Sequence, residues 1–191
     1  QAPSAPLRQP RLEERKDLSM NIAFSVDSTG TDVIDDALEY DEQQGVVRVH
    51  IADVAAFVKS GSPQDRDAAH VGCSIYLRDH NDVVRFCRPM LDRSLTEAAS
   101  LAEGQRRAAL TFEFRTQSRG RNKGEVVFHS LFRSTVQLRE AMSFERAACL
   151  LRQGRIEPRV QGVSDSLQAL WELTKTAMEK RLQTDQAYVL R

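Results

Sequence analysis

Ala37-Leu-Glu-Tyr-Asp41-Glu-Gln-Gln-Gly45-Val-Val-Arg-Val-His-Ile51 is the stretch that decides how this chain folds. Two β-forming runs, Ala37 to Asp41 and Val46 to Ile51, flank Gln43-Gln44-Gly45, and a short connection containing glycine is a hairpin signal. In the second run Val47, Val49 and Ile51 alternate with Val46, Arg48 and His50, so one face of that strand is expected to be buried. Upstream, Ile22 to Val26 reads as a short strand leading into an acidic loop. Downstream, Ser62-Pro63 supplies an N-cap and an N1 proline for a helix closed by Gly72, and Cys73 to Leu77 returns as a strand.

Further along, Ala108 to Thr116 and Glu125 to Val136 read as long strands separated by a basic tip, Ser118 to Gly124. A helix is expected from about Ser143 to Leu151, stopping at Gly154. A second should run from about Ser164 to Gln183, with Leu167, Leu170, Trp171, Thr174 and Met178 at helical spacing. Antiparallel strand pairs interrupted by helices make an α+β architecture, a mixed, largely antiparallel sheet with packed helices. Gln1 to about residue 14, with Pro3, Pro6 and Pro10, reads as an extended arm without the apolar stretch of a signal peptide. A chain that begins at Gln1 and ends on a β-like Tyr188-Val189-Leu190-Arg191 is expected to be processed or cut from something longer and completed by further polypeptide.

At 191 residues, 41% hydrophobic and 28% charged, the composition is that of one soluble globular domain. No run reaches the roughly 18 apolar residues of a membrane span. Three cysteines, none in a C-x-x-C pair, suit an intracellular reducing compartment better than a disulfide scaffold. The spacing of His70, Cys73, His80 and Cys87 matches no common zinc finger.

Formal net charge is zero, but the charge is unevenly spread. Asp27, Asp32, Asp35, Asp36, Glu39, Asp41 and Glu42 form an acidic stretch with no Lys or Arg, whereas Arg115 to Arg159 holds ten basic residues against four acidic. This reads either as two solvated faces of opposite sign or as a metal site beside a phosphate-attracting surface. Within Asp27-Ser-Thr-Gly-Thr-Asp32-Val-Ile-Asp35-Asp36 four carboxylates fall inside ten residues. Such a loop either splays its acids into solvent or collects a hard divalent cation, Mg²⁺ above all.

On either side of that loop, Ser25-Val26-Asp27 and Asp35-Asp36-Ala37-Leu38 resemble the T-I-D and D-x-D-D-A of the RNB family of ribonuclease II/R-type exoribonucleases. His50-Ile-Ala-Asp53-Val-Ala-Ala-Phe57-Val-Lys59-Ser-Gly61-Ser62 resembles H-I-A-D-V-x-x-F-V-x-x-G-S, and Gly72-Cys-Ser-Ile-Tyr76-Leu77 resembles G-T-S-V-Y-L. Pro89-Met90-Leu91, Ser100-Leu101, Arg133-Ser134 and Ser143-Phe144-Glu145 fall where the family has P-M-L, C-S-L, R-S and T-Y-E. The resemblance implies that residues 15–191 are the N-terminal half of an RNB domain. It implies single-stranded RNA as partner and Mg²⁺-dependent release of nucleotides from a 3′ end. By the same resemblance Asp27, Asp35 and Asp36 would be catalytic and metal-holding, and Tyr76, Phe144 and Arg133 would meet RNA.

Two departures stand out. The second aspartate of the pattern falls on Val33, which cannot hold a metal, and Asp32 beside it could substitute only through a kink. Phe144 keeps the ring of the family tyrosine without its hydroxyl. The expected function is therefore a single-stranded RNA-binding module with weakened or lost catalysis, in RNA processing or a ribonucleoprotein assembly. The alternative is a fragment of an active hydrolytic 3′–5′ exoribonuclease. Residue by residue, His50 reads as a structural histidine rather than a base, Phe144 as a ring packing its helix into the core, and Asp53 equally as a turn cap or a catalytic acid.

Overall fold

The computed structural model describes residues 8–78, 84–117, 125–153 and 161–183. The basic tip, Gly154, His80 and the terminal strand-like segment lie outside them. The strands are β1 (Lys16–Asp17), β2 (Ala23–Asp27), β3 (Asp36–Asp41), β4 (Val46–Ala52), β5 (Ile75–Arg78), β6 (Val84–Arg88), β7 (Arg106–Thr116) and β8 (Val126–Ser143). The helices are α1 (Pro63–Val71), α2 (Arg93–Ala99), α3 (Phe144–Gln153) and α4 (Gln161–Gln183), with 3₁₀ turns at Leu12–Glu14 and Val54–Ala56. The α+β expectation holds.

Gly45 sits at φ 63° in the β3–β4 turn, a conformation that glycine adopts without steric cost. Ser62 accepts from the Asp65 N–H at 3.2 Å to start α1, and Gly72, at φ 78°, closes it. Within the described part of the arm, the Leu12 carbonyl accepts from Thr135 Oγ1 at 3.0 Å.

The sheet is not open. β8 pairs antiparallel with β7 through Val126 to Gln137 and then parallel with β2 through Leu138 to Ser143. Pairings therefore run from β8 through β2, β3, β4 and β7 back to β8. The sequence pattern ends this strand at Val136, but the change of partner carries it seven residues further. The 3–4 spacing of Val163, Leu167 and Leu170 packs α4, together with Ala147 and Leu150 of α3, over Phe24, Val47 and Met142 on the outer face. Trp171 and Met178, expected on that stripe, are 47% and 55% exposed. The contact face of α4 is rotated away from them. β1, β6 and α2 are too short for periodicity to reveal.

The inner face is the unexpected one. It carries Ala37, Ala52, Ala109, Val136 and Leu138 at one side of its core, and at the other the residues that alternate with the valines of β4. Arg48 Nε donates to Glu113 Oε2 at 2.8 Å, and its Nη1 donates to Glu39 Oε1. His50, fully buried, lies with Nδ1 2.8 Å from Thr111 Oγ1 and Nε2 3.3 Å from Glu39 Oε2. The structural reading of His50 holds, since both ring nitrogens are engaged. Burial pushes the carboxyls of Glu39 and Glu113 up. The His50 hydrogen bond and the Arg48 charge at Glu39, and Arg48 at Glu113, outweigh it and leave both below the ordinary glutamate range. A depressed carboxyl contributes stability that is present above its unfolded pKa and lost as pH falls through its folded pKa. Stability should therefore hold near neutrality and decline below about pH 4.5. The decline should be shallower in Glu39→Gln, read as denaturant midpoint against pH.

Candidate functional site

Asp27 ends β2 and Asp36 opens β3, so the hairpin-like return of the chain brings their backbones to one edge of the sheet. The loop between them is irregular. Its exit is fixed by long-range bonds: the Ile34 N–H donates to Ser100 Oγ at 2.9 Å, the Ile34 carbonyl accepts from Leu101 N–H at 2.9 Å, and the Asp35 carbonyl accepts from Ala52 N–H at 2.8 Å. Ile34 points into the inner core, while Val33 is half-buried and Asp35 exposed.

The electrostatics tie three of the four acids together. Desolvation, then the charges of Asp36 and Asp27, push the Asp35 carboxyl above its ordinary value. Asp27 Oδ2 is buried without a hydrogen-bond partner, as is the hydroxyl of Ser25, two residues earlier on the same side of β2. Asp32 stands apart: it is exposed, and its charge acts on Arg93 of α2. Glu39, which sequence places in the same acidic stretch, belongs to the buried network.

Among the described residues no three His, Cys, Asp or Glu side chains are gathered as a ready metal cage. The fit to a divalent cation is thus partial. The orphaned Asp27 oxygen and the repulsion around Asp35 suit one, but Val33 adds no donor. Buried polar atoms without partners commonly mark the place of a water or an ion.

The parallel pairing of Asp27 with Ser143 sets the start of α3 beside this loop. Thr29 Oγ1 donates to Glu145 Oε2 at 2.9 Å across the gap, and Ser143 Oγ accepts from the Arg146 N–H. Phe144 is held there with its ring 55% exposed. This corrects the expectation that it packs into the core: the first turn of α3 faces the loop, and Ala147 and Leu150 do the packing. Tyr76 lies on the separate β5–β6 hairpin, 57% exposed, flanked by exposed Ile75 and Leu77. Arg133 is exposed on β8, away from Asp27. Asp53 accepts from the Ala56 N–H at 3.2 Å and from Arg15 Nη2 at 2.6 Å, so it caps its turn and closes a buried ion pair. Sequence reading placed Ser25 and Ser100 within matched motifs without giving either a role, and it did not single out Arg15. The partners of Ser100 and Arg15 lie 66 and 38 residues away, beyond the reach of any local pattern.

The profile of the RNB domain matches residues 15–190. The chain is 29% identical over 181 residues to ribonuclease R of Thermotoga maritima, a match that covers 93% of this chain and 24% of that protein. Its fold superposes on Mycoplasma genitalium RNase R in complex with ribose-methylated single-stranded RNA with a TM-score of 0.76. That match has 27% identity and covers 88% of this chain and 25% of the other. Yeast Ssd1, a pseudonuclease, shares the fold at a TM-score of 0.71, with 19% identity over 96% of this chain and 22% of that one. The chain spans about a quarter of the length of these relatives.

Proposed function

The chain belongs to the RNB domain family, and on that premise we propose that it is a single-stranded RNA-binding module whose catalysis is weakened or lost. It would act in RNA processing or within a ribonucleoprotein assembly, completed by further polypeptide. The observation that carries the reading is the loop 32–36: Val33 stands where the family pattern has an acid, and the charges that act on Asp35 are those of Asp36 and Asp27, not of Asp32. A fold shared with both a ribonuclease and a pseudonuclease leaves catalysis to be decided by these side chains.

The second reading, part of an active hydrolytic 3′–5′ exoribonuclease, is favoured by the coupling of Asp27, Asp35 and Asp36 and by the orphaned Asp27 oxygen. Magnesium held by these three carboxylates and water would neutralise charge on a phosphate oxygen and acidify a bound water. The chain's own part would be to hold the acids on a fixed backbone and to offer Phe144 and Tyr76 as stacking rings. Free Cys73 and Cys87, both exposed, suit an intracellular reducing compartment. Among the described residues no helix is long and apolar enough to cross a membrane.

The test is RNA binding by the intact protein, followed by fluorescence anisotropy at several salt concentrations. Affinity for a single strand should fall steeply with salt. Tyr76→Ala should weaken it by about 1–3 kcal/mol if the ring stacks on a base. Binding that ignores both salt and Tyr76 would remove the RNA reading.

A further inference from the structure

Three arginines of the N-terminal segment, Arg8, Arg11 and Arg15, meet Arg133 of β8 around a cleft of about 470 Å³ that also contains Glu14 and Asp53. Both acids are already engaged. Arg11 Nη1 lies 2.7 Å from Glu14 Oε1, and Arg15 Nη2 lies 2.6 Å from Asp53 Oδ2. The second pair is a fixed wall: its side chains are 5% and 6% exposed, and Arg15 also donates to the Ala109 carbonyl at 3.3 Å. Arg8 and Arg133 have no ion pair of their own among the described residues, and both help to hold the Glu14 carboxyl low, behind the larger effect of Arg11. Four guanidinium groups thus face two carboxylates, which leaves the cleft positive.

The strand register ties this cleft to the aspartates. Asp36 pairs with Ile51, Ile51 with Leu110, and Leu110 with Arg133. Directly paired residues share a sheet face, so these four make one row across β3, β4, β7 and β8. Three strand spacings place Arg133 about 14 Å along the sheet from Asp36. Ile51, 36% exposed, and half-buried Leu110 form the floor between them. A phosphate held in the cleft is therefore a different one from any phosphate beside Asp36.

We propose that the Arg8–Arg133 cleft is a second anion subsite, one that binds a phosphate group of a nucleotide or RNA strand lying across the Ile51–Leu110 floor. Arginine suits this role because its planar, weakly hydrated fork matches two phosphate oxygens at once. The paired Arg15 and Asp53 hold the cleft open without spending a free charge. The inference rests on the RNA-binding reading for its natural ligand, while the subsite itself can be probed with a mononucleotide.

Two titrations of the intact protein decide it. In the first, a labelled single-stranded oligouridylate is titrated at a series of salt concentrations. Arg133→Gln should weaken binding about tenfold and flatten the slope of log affinity against log salt by about 0.7. Arg133→Lys should keep the slope and lose part of the affinity. Lys175→Gln, which removes a half-exposed charge on α4, should change neither. Equal losses in the Arg133 and Lys175 variants, or an unchanged slope in Arg133→Gln, would overturn the subsite. In the second titration, uridine monophosphate is followed through arginine Nε–H resonances. Saturable shifts that vanish in Arg133→Gln support the cleft, and their absence in the wild type defeats it. If the wild type binds no RNA yet shows those shifts, the RNA reading falls and the subsite stands.

Discussion

Arg48→Met is expected to destabilise the protein by about 3–5 kcal/mol, because it leaves two carboxylates buried without their shared cation. Glu39 and Glu113 approach Arg48 from neighbouring strands on either side, and their side chains are only 4% and 6% exposed. Asn21 and His50 would still hydrogen-bond Glu39, but the cations left near Glu113 would be Arg115, at 3.8 Å, and Lys16, at 4.0 Å, both more than half-exposed. Urea denaturation at neutral pH measures the loss. The mechanism makes a second demand on the same variant. Protonating the stranded carboxylates removes the uncompensated charge, so the deficit relative to wild type should shrink as pH falls below about 5. A deficit that stays constant with pH would mean that lost packing of the arginine stem, rather than stranded charge, dominates. Adding Glu113→Gln to Arg48→Met should recover part of the loss, since these positions share one network and cannot act additively.

In the full-length protein, Val33→Asp is expected to create or raise Mg²⁺-dependent release of nucleotides from a 3′ end by at least about tenfold, the scale of a lost metal-site contact. The backbone at this point is pinned through Ile34 to Ser100 and Leu101. An aspartate at 33 would stand two residues from Asp35, in the loop that already carries Asp27, Asp35 and Asp36 at its ends. Val33 is half-buried rather than core, so the substitution should fold, which a thermal melt checks. Phe144→Tyr, at the ring beside the loop, should add to the gain by restoring a hydroxyl next to the acids. The measurement is denaturing-gel analysis of a 3′-tailed RNA with and without Mg²⁺. Degradation at ordinary rates by the unmodified protein, abolished by Asp36→Asn, would reverse the reading to an active nuclease built on the acids already present.

Short-range chemistry is what the chain writes openly. Glycine at a positive φ between two β-forming runs, serine and proline before α1, and glycine after it each act within a few residues. The β3–β4 hairpin and both ends of α1 could therefore be read directly from the sequence. The ordered motifs from Ser25 to Glu145 carried the family. The acids of the site were legible as residues, and Val33 as the departure among them. That the charges of Asp27 and Asp36 reach Asp35 was not, because the loop's exit is fixed by Ser100, Leu101 and Ala52, far along the chain. Alternation in Val46 to Ile51 announced one buried face without saying which. The interior took Arg48 and His50 because Glu39, Thr111 and Glu113 stand opposite them, 9 to 65 residues away in the chain. Arg15 and Asp53, 38 residues apart, and the passage of β8 from β7 to β2 belong to the same class. Only the closed sheet brings such partners together, since burying a charge is tolerable only where its counter-charge arrives with it.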